Sequence, residues 1–240
     1  MAYKARELLI VNKSTCIPNN VLAAYVLAIQ RQVNEHFGPV WGLFATLRLG
    51  PETDLRPGMG VVYFIDNPPA DDKELEGILG YHDVTARGDP IAYVFAKLDK
   101  AHNLCPSVTF SHEVLEMLAD VSTTWCTLVG DTLYSIEVCD AVEDDDEGYD
   151  IDGVRVSNFV YPEWFDPRNV GKRLDHLGRC RKPLEIRPGG YMSVFTIGKD
   201  DEWRNITGPK GAHRLEVKKA SRPSFTRSAI RNRMLKEAIR

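Results

Sequence analysis

No apolar run in the chain approaches the roughly 20 residues that a helix needs to cross a bilayer, so no membrane span is expected. The five cysteines, Cys16, Cys105, Cys126, Cys139 and Cys180, are odd in number and form no Cys-x-x-Cys pair. That pattern speaks against a disulfide framework and against zinc-finger chemistry, and leads us to expect reduced thiols in a cytoplasmic protein. The first residues, MAYKARELLIVNKS, carry Glu7 inside a short apolar patch and lack a small-residue cleavage pattern, so a signal peptide is not expected. Phosphate-loop, dinucleotide-binding and nucleophile-elbow signatures are also missing.

Charge of one sign is missing locally. From Asp131 to Asp152 there are ten acids and no Lys or Arg, whereas from Lys210 to Arg240 there are ten basic residues against only Glu216 and Glu237. The acidic run Glu143 to Glu147 reads as a solvated loop. The basic tail reads as a solvated terminal segment, with contact to nucleic acid or an acidic protein surface as the alternative.

Hydrophobic periodicity lays out the rest. Glu7 to Val11 reads as a strand. Val21, Leu22, Tyr25, Val26, Ile29, Val33 and Phe37 are spaced three and four apart, which predicts a helix with one buried stripe, ended by Gly38-Pro39. Strands are expected over Trp41 to Leu49, Gly60 to Ile65, Leu79 to Val84 and Ile91 to Leu98. The third of these five, Gly60 to Ile65, is continuously apolar and so should be covered on both faces. A second helix should start near Pro106-Ser107, with Ser107 able to cap it, and run to about Asp120. Beyond it a strand is expected from Leu133 to Cys139. A hairpin should turn at Asp152-Gly153, and a last strand should run from Tyr191 to Ile197.

The second helix carries SHEVLEMLAD, residues 111 to 120, which lacks the second histidine of His-Glu-x-x-His. Residues four apart stand one turn apart on the same helix face, so His112 and Glu116 can grip one ion. Glu113, one position round, can reach a water on that ion and act as general base. A catalytic site normally takes a third protein ligand, and the segment Ile136 to Glu143 supplies acids for it. If Leu133 to Cys139 is a strand, Glu137 and Asp140 lie on opposite faces. Asp140, at the strand's end, is then preferred and Glu137 is the alternative. His82, in GYHDV, reads as a satisfied core or surface histidine, with a strand residue near the site as the alternative, and His102 and His176 read as exposed. Tyr149 or Tyr161, which follow the ligands, are candidates to stabilise an oxyanion.

SHEVLEMLAD followed by EVCD resembles the HExxE and ExxD pairing of zincin-like metallopeptidases from phages and bacteria, and a similar pattern occurs in exordium-like plant proteins. The likeness covers roughly residues 20 to 165, including HFGPVWG and VSNFVYPEWFDP. Val121 departs from it by standing where a proline is expected. The resemblance implies a zinc site of His112, Glu116 and an acid of the EVCD segment, with Glu113 as base.

The expected fold is therefore α+β and zincin-like. A mixed twisted sheet with a backing helix and a motif helix fills residues 1–120, an acid-ligand strand and hairpins follow over 121–209, and the basic tail is 210–240. The expected function is a metal-dependent hydrolase, a peptidase acting on a peptide or protein that lies along the edge strand Ile91 to Lys97. Its alternative is a non-catalytic scaffold, phage- or virion-associated, with a structural metal and a tail that binds nucleic acid or a protein. Neutral His112 with ionised Glu116 and Asp140 would make a charge-neutral site with a divalent ion. Such an oxygen-rich set suits zinc first, and also manganese, iron or calcium.

Overall fold

The computed structural model describes residues 6–69, 75 and 77–210, so the expected basic tail lies outside the described residues except for Lys210. The fold is α+β. Strands β1 (Arg6–Asn12), β2 (Ala45–Leu49), β3 (Gly60–Ile65), β4 (Gly80–Val84) and β5 (Pro90–Phe95) form one sheet in the order β2-β1-β3-β5-β4. All neighbours are parallel except β4, which runs antiparallel to β5 at the edge. Central β3 is buried on both faces, as its unbroken apolar sequence requires.

Alternate residues sort the two faces. Leu8, Ile10, Val62, Phe64, Ala92 and Val94 join the main core under the helices, while Leu9, Val11, Val61 and Tyr63 form a smaller cluster on the opposite face. Helix α1 (Asn19–Arg31) lays Leu22, Val26 and Ile29 on the first face. It continues through a wide π-helical turn (Gln32–Phe37) that buries Val33 and Phe37, and then through α2 (Gly38–Trp41). Gly38-Pro39 therefore does not end the helix. A proline in a helix's first turn has no N–H that would need an acceptor, and the chain stops at Gly42, whose φ of 69° is left-handed and whose N–H reaches Gly38 O at 2.8 Å. Trp41, expected to open a strand, is instead helical. It stacks on Phe37 and donates from Nε1 to Val160 O at 3.0 Å, so β2 begins only at Ala45. The expected strand to Leu98 likewise ends at Phe95 and turns into α3 (Ala96–Ala101).

Helix α4 (Pro106–Ala119) is buried along its whole length, packed between β4 and β5 on one side and the C-terminal part on the other. Phe110 meets Phe64 edge to face at 4.9 Å. Burying such a side chain contributes about 2–3 kcal/mol. Ser107 does not cap this helix. Cys105 is the N-cap residue, and its N–H donates to Asp145 Oδ2 at 2.9 Å, which places a carboxylate at the positive helix end. At the other end Asp120 accepts from the N–H groups of Thr124 (3.1 Å) and Trp125 (2.8 Å), which closes the turn at Val121 without a proline.

The C-terminal part contains an antiparallel sheet in the order β11-β10-β7-β6, made of β6 (Cys126–Val129), β7 (Thr132–Ser135), β10 (Tyr191–Thr196) and β11 (Arg204–Thr207). The expected hairpin is present as β8 (Tyr149–Ile151) and β9 (Val154–Val156), with Asp152 and Gly153 at φ of 51° and 80°. Strand β7 stops at Ser135, four residues short of the expected Cys139, and Asp140–Val142 is a 3-10 turn. The alternation that set Glu137 against Asp140 thus does not apply to them. The acidic run is not a solvated loop either. Glu143, Asp144, Asp145 and Glu147 are buried, with Asp144 accepting from Asp146 N, Asp145 seated at α4, and Glu147 paired with Arg179 (3.0 Å) and Arg187 (3.2 Å). No described helix is long and apolar enough to cross a membrane.

Candidate metal centre

The helical spacing of His112 and Glu116 brings their side chains together as expected, with His112 Nε2 at 3.1 Å from Glu116 Oε2. The segment leaving β7 adds Asp140, whose Oδ1 lies 3.3 Å from the same nitrogen. Neighbouring donors around a tetrahedral ion bound at 2.0–2.2 Å stand about 3.4 Å apart, so these separations suit a metal. His112 and Asp140 are 5% and 1% exposed, and among the described residues neither His112 Nδ1 nor Asp140 Oδ1 finds a hydrogen-bond partner of good geometry. Buried polar atoms rarely go without partners, and a cation would satisfy Asp140. Behind His112, Glu143 Oε2 lies 3.9 Å from Nδ1. That is the side on which metal-binding histidines hold a carboxylate, but the separation is longer than a hydrogen bond.

Glu137, the alternative third ligand, lies in the same cluster but faces a different ring. Its Oε2 is 3.9 Å from His82 Nε2, while His82 Nδ1 is 3.3 Å from Glu113 Oε2 and 3.6 Å from Glu116 Oε2. His82 is therefore not an ordinary strand histidine. It is 1% exposed on β4 and, paired in register with Ala92, points to the helix face of the sheet. The close approach needs Gly80, where a Cβ would stand 2.7 Å from Thr109 Cγ2, 2.8 Å from Tyr93 O and 3.1 Å from Glu113 Oε1. Cys139 completes the neighbourhood. It is fully buried, groups with His112 and Glu116 as possible metal donors, and its N–H donates to Glu116 Oε1 at 3.2 Å.

Among the described residues three donor sets arise, each with its ligand atoms within 4.8 Å of one another. They are His112–Glu116–Cys139, His82–Glu116–Glu137 and His112–Asp140–Glu143. The electrostatics reflect this crowding. Burial opposes charge on His112, but Glu116 and Asp140 beside it outweigh that and push its pKa up to about 10. Burial and then Asp140 raise Glu116, with His112 working the other way, and burial followed by the Glu116 charge raises the Cys139 thiol. Protons on these groups offset the crowded negative charge, and a bound cation would take their place.

Sequence reasoning placed His112, Glu113, Glu116, Glu137 and Asp140 in one site, and they are together. It ranked His82 in GYHDV as a site neighbour only second to a satisfied histidine, and it passed over Glu143, hidden in the acidic run. The candidate oxyanion donors fare differently. Tyr149 Oη is engaged by Gln32 Nε2 (3.2 Å) and His36 Nδ1 (2.9 Å), and Tyr161 Oη stands 3.5 Å from His176 Nδ1. His102 is exposed as expected, but His176 is half-buried and stacks on His36 and Phe159. The segment Ile91 to Lys97 is not an edge: β5 lies between β3 and β4, and β4 is the edge strand beside α4. Comparison with family models, with curated proteins and with solved structures found no match to this chain.

Proposed function

We propose that the chain is a metal-dependent hydrolase acting on peptides, with a zincin-like arrangement of sheet, motif helix and acid ligand. The observation that carries this reading is the trio of His112 Nε2, Glu116 Oε2 and Asp140 Oδ1, at separations of 3.1 and 3.3 Å around buried atoms suited to a cation. Zinc is the first choice of ion, with manganese and iron next for so oxygen-rich a set. When bound, a divalent ion would supply Lewis acidity and ease deprotonation of a water. The chain's own residues do the rest. His112, Glu116 and Asp140 would hold the ion, with Glu143 standing behind His112, and Glu113 would take the proton from the attacking water and pass it to the leaving amine. The resemblance of SHEVLEMLAD and EVCD to zincin-like metallopeptidases supports the same assignment.

A second reading, a structural ion in a non-catalytic scaffold, is favoured by the burial of the donors, with Glu113 only 4% exposed. Incubating zinc- or manganese-loaded protein with unstructured peptides separates the two. Cleavage that a chelator abolishes and metal restores supports the hydrolase. Tight metal binding, with unfolding on its removal and no cleavage, leaves the structural ion.

A further inference from the structure

The cluster extends past the three residues that hold the proposed ion, and its far side has donors of its own. His82 from β4, Glu137 from the segment after β7, and Glu116 from α4 offer ligand atoms within 4.8 Å of one another. We propose that the centre binds two divalent ions, the second between His82, Glu116 and Glu137, with Glu116 shared between both. This rests on the metal-binding reading above.

Three observations carry it. First, one oxygen serves both sets: Glu116 Oε2 lies 3.1 Å from His112 Nε2 and 3.6 Å from His82 Nδ1. Its carboxylate is pinned from the other side, because Oε1 accepts the Cys139 N–H at 3.2 Å. An oxygen held between two imidazoles from different elements is placed to bridge two ions, as in two-metal hydrolytic sites. Second, each set keeps a histidine and a carboxylate that the other does not use, His112 with Asp140 and His82 with Glu137, whose Oε2 faces His82 Nε2, the ring nitrogen turned away from Glu113. Third, charge favours it. Glu113, Glu116, Glu137, Asp140 and Glu143 all lie within 4 Å of one of the two rings, and all are at most 4% exposed. With neutral imidazoles and ionised carboxylates, one divalent ion leaves three formal negative charges in this buried set. Two ions leave one, so a second cation would offset more of the charge that burial makes costly. An oxygen-rich pair of sites of this kind suits manganese, iron or zinc.

The test uses the full chain, stripped of metal, loaded with Mn²⁺, desalted, and read by elemental analysis and electron paramagnetic resonance. The expected result is about two Mn²⁺ per chain with an exchange-coupled signal, as in two-metal sites. His82→Ala and Glu137→Gln should each lower the content to about one and leave an uncoupled six-line spectrum, half the metal lost in either case. Glu137→Gln is isosteric and carries the test if His82→Ala does not fold. One Mn²⁺ per chain, unchanged in both variants, would overturn the second site while the first stands. One Mn²⁺ that disappears with His82 would also overturn it, because a single ion then lies between both rings. No bound metal in the folded wild type would overturn the second site and the metal-binding reading together.

Discussion

His82 Nδ1 lies 3.3 Å from Glu113 Oε2, so a histidine on the sheet edge braces the motif glutamate 31 residues away. The carboxylate proposed to move the proton is thus held by the sheet as well as by its own helix. Replacing it should separate binding from chemistry. In Glu113→Gln we expect peptide hydrolysis to fall about 10²- to 10⁴-fold, the usual contribution of a positioned base. Metal content by elemental analysis should be unchanged. Full activity in this variant would remove Glu113 from the reaction.

Glu143 gives a graded test. Its Oε2 stands 3.9 Å from His112 Nδ1, and carboxylates behind a metal-binding histidine typically control affinity about 10- to 100-fold. Glu143→Ala should weaken metal binding by that factor in a competition titration against a chelating dye. An unchanged affinity would make Glu143 a bystander.

The acidic run also has a structural role. Asp145 Oδ2 accepts the Cys105 N–H at the start of α4, and removing such a cap costs about 1 kcal/mol. Asp145→Ala should lower Tm by about 2–4 °C for a chain of this size. A Tm unchanged by calorimetry would show that the cap contributes nothing.

Acid should destabilise the fold through His176. Burial, followed by the neighbouring His36 and Arg173 charges, depresses its pKa to about 4 from the ordinary 6.5. Above pH 6.5 the ring is neutral in both folded and unfolded chains. Between 6.5 and about 4 the unfolded chain binds a proton that the folded one resists, so stability falls as pH falls through that window. Denaturant midpoints at pH 7, 5.5 and 4 should drop more steeply in the wild type than in His176→Gln. Parallel curves would contradict this assignment.

Much of the sheet was legible in the sequence, because strands such as Gly60–Ile65 are apolar throughout and bounded by turn residues. The motif helix was legible because His112 and Glu116 need only one turn of α-helix to meet. The boundaries failed where tertiary contacts override local signals. Trp41 prefers the core beside Phe37 to a strand, and the chain leaves β7 at Ser135 to deliver both Glu137 and Asp140. His82 ranked low as a site residue for a topological reason. Its meaning depends on β4 lying at the edge beside α4, and on the gap that Gly80 leaves, neither of which periodicity records. The acids from Glu143 to Glu147 looked solvated because a run of charge ordinarily is, yet most of them serve α4, His112 or the arginines.

The central claim is that His112, Glu116 and Asp140 hold a metal, and calorimetric titration of metal-stripped protein with Zn²⁺, beside the His112→Ala variant, tests it most directly. Wild type should bind at least about one equivalent tightly, as three-ligand sites do, and the folded variant should lose that binding. Equal, sub-stoichiometric uptake by both proteins would contradict it.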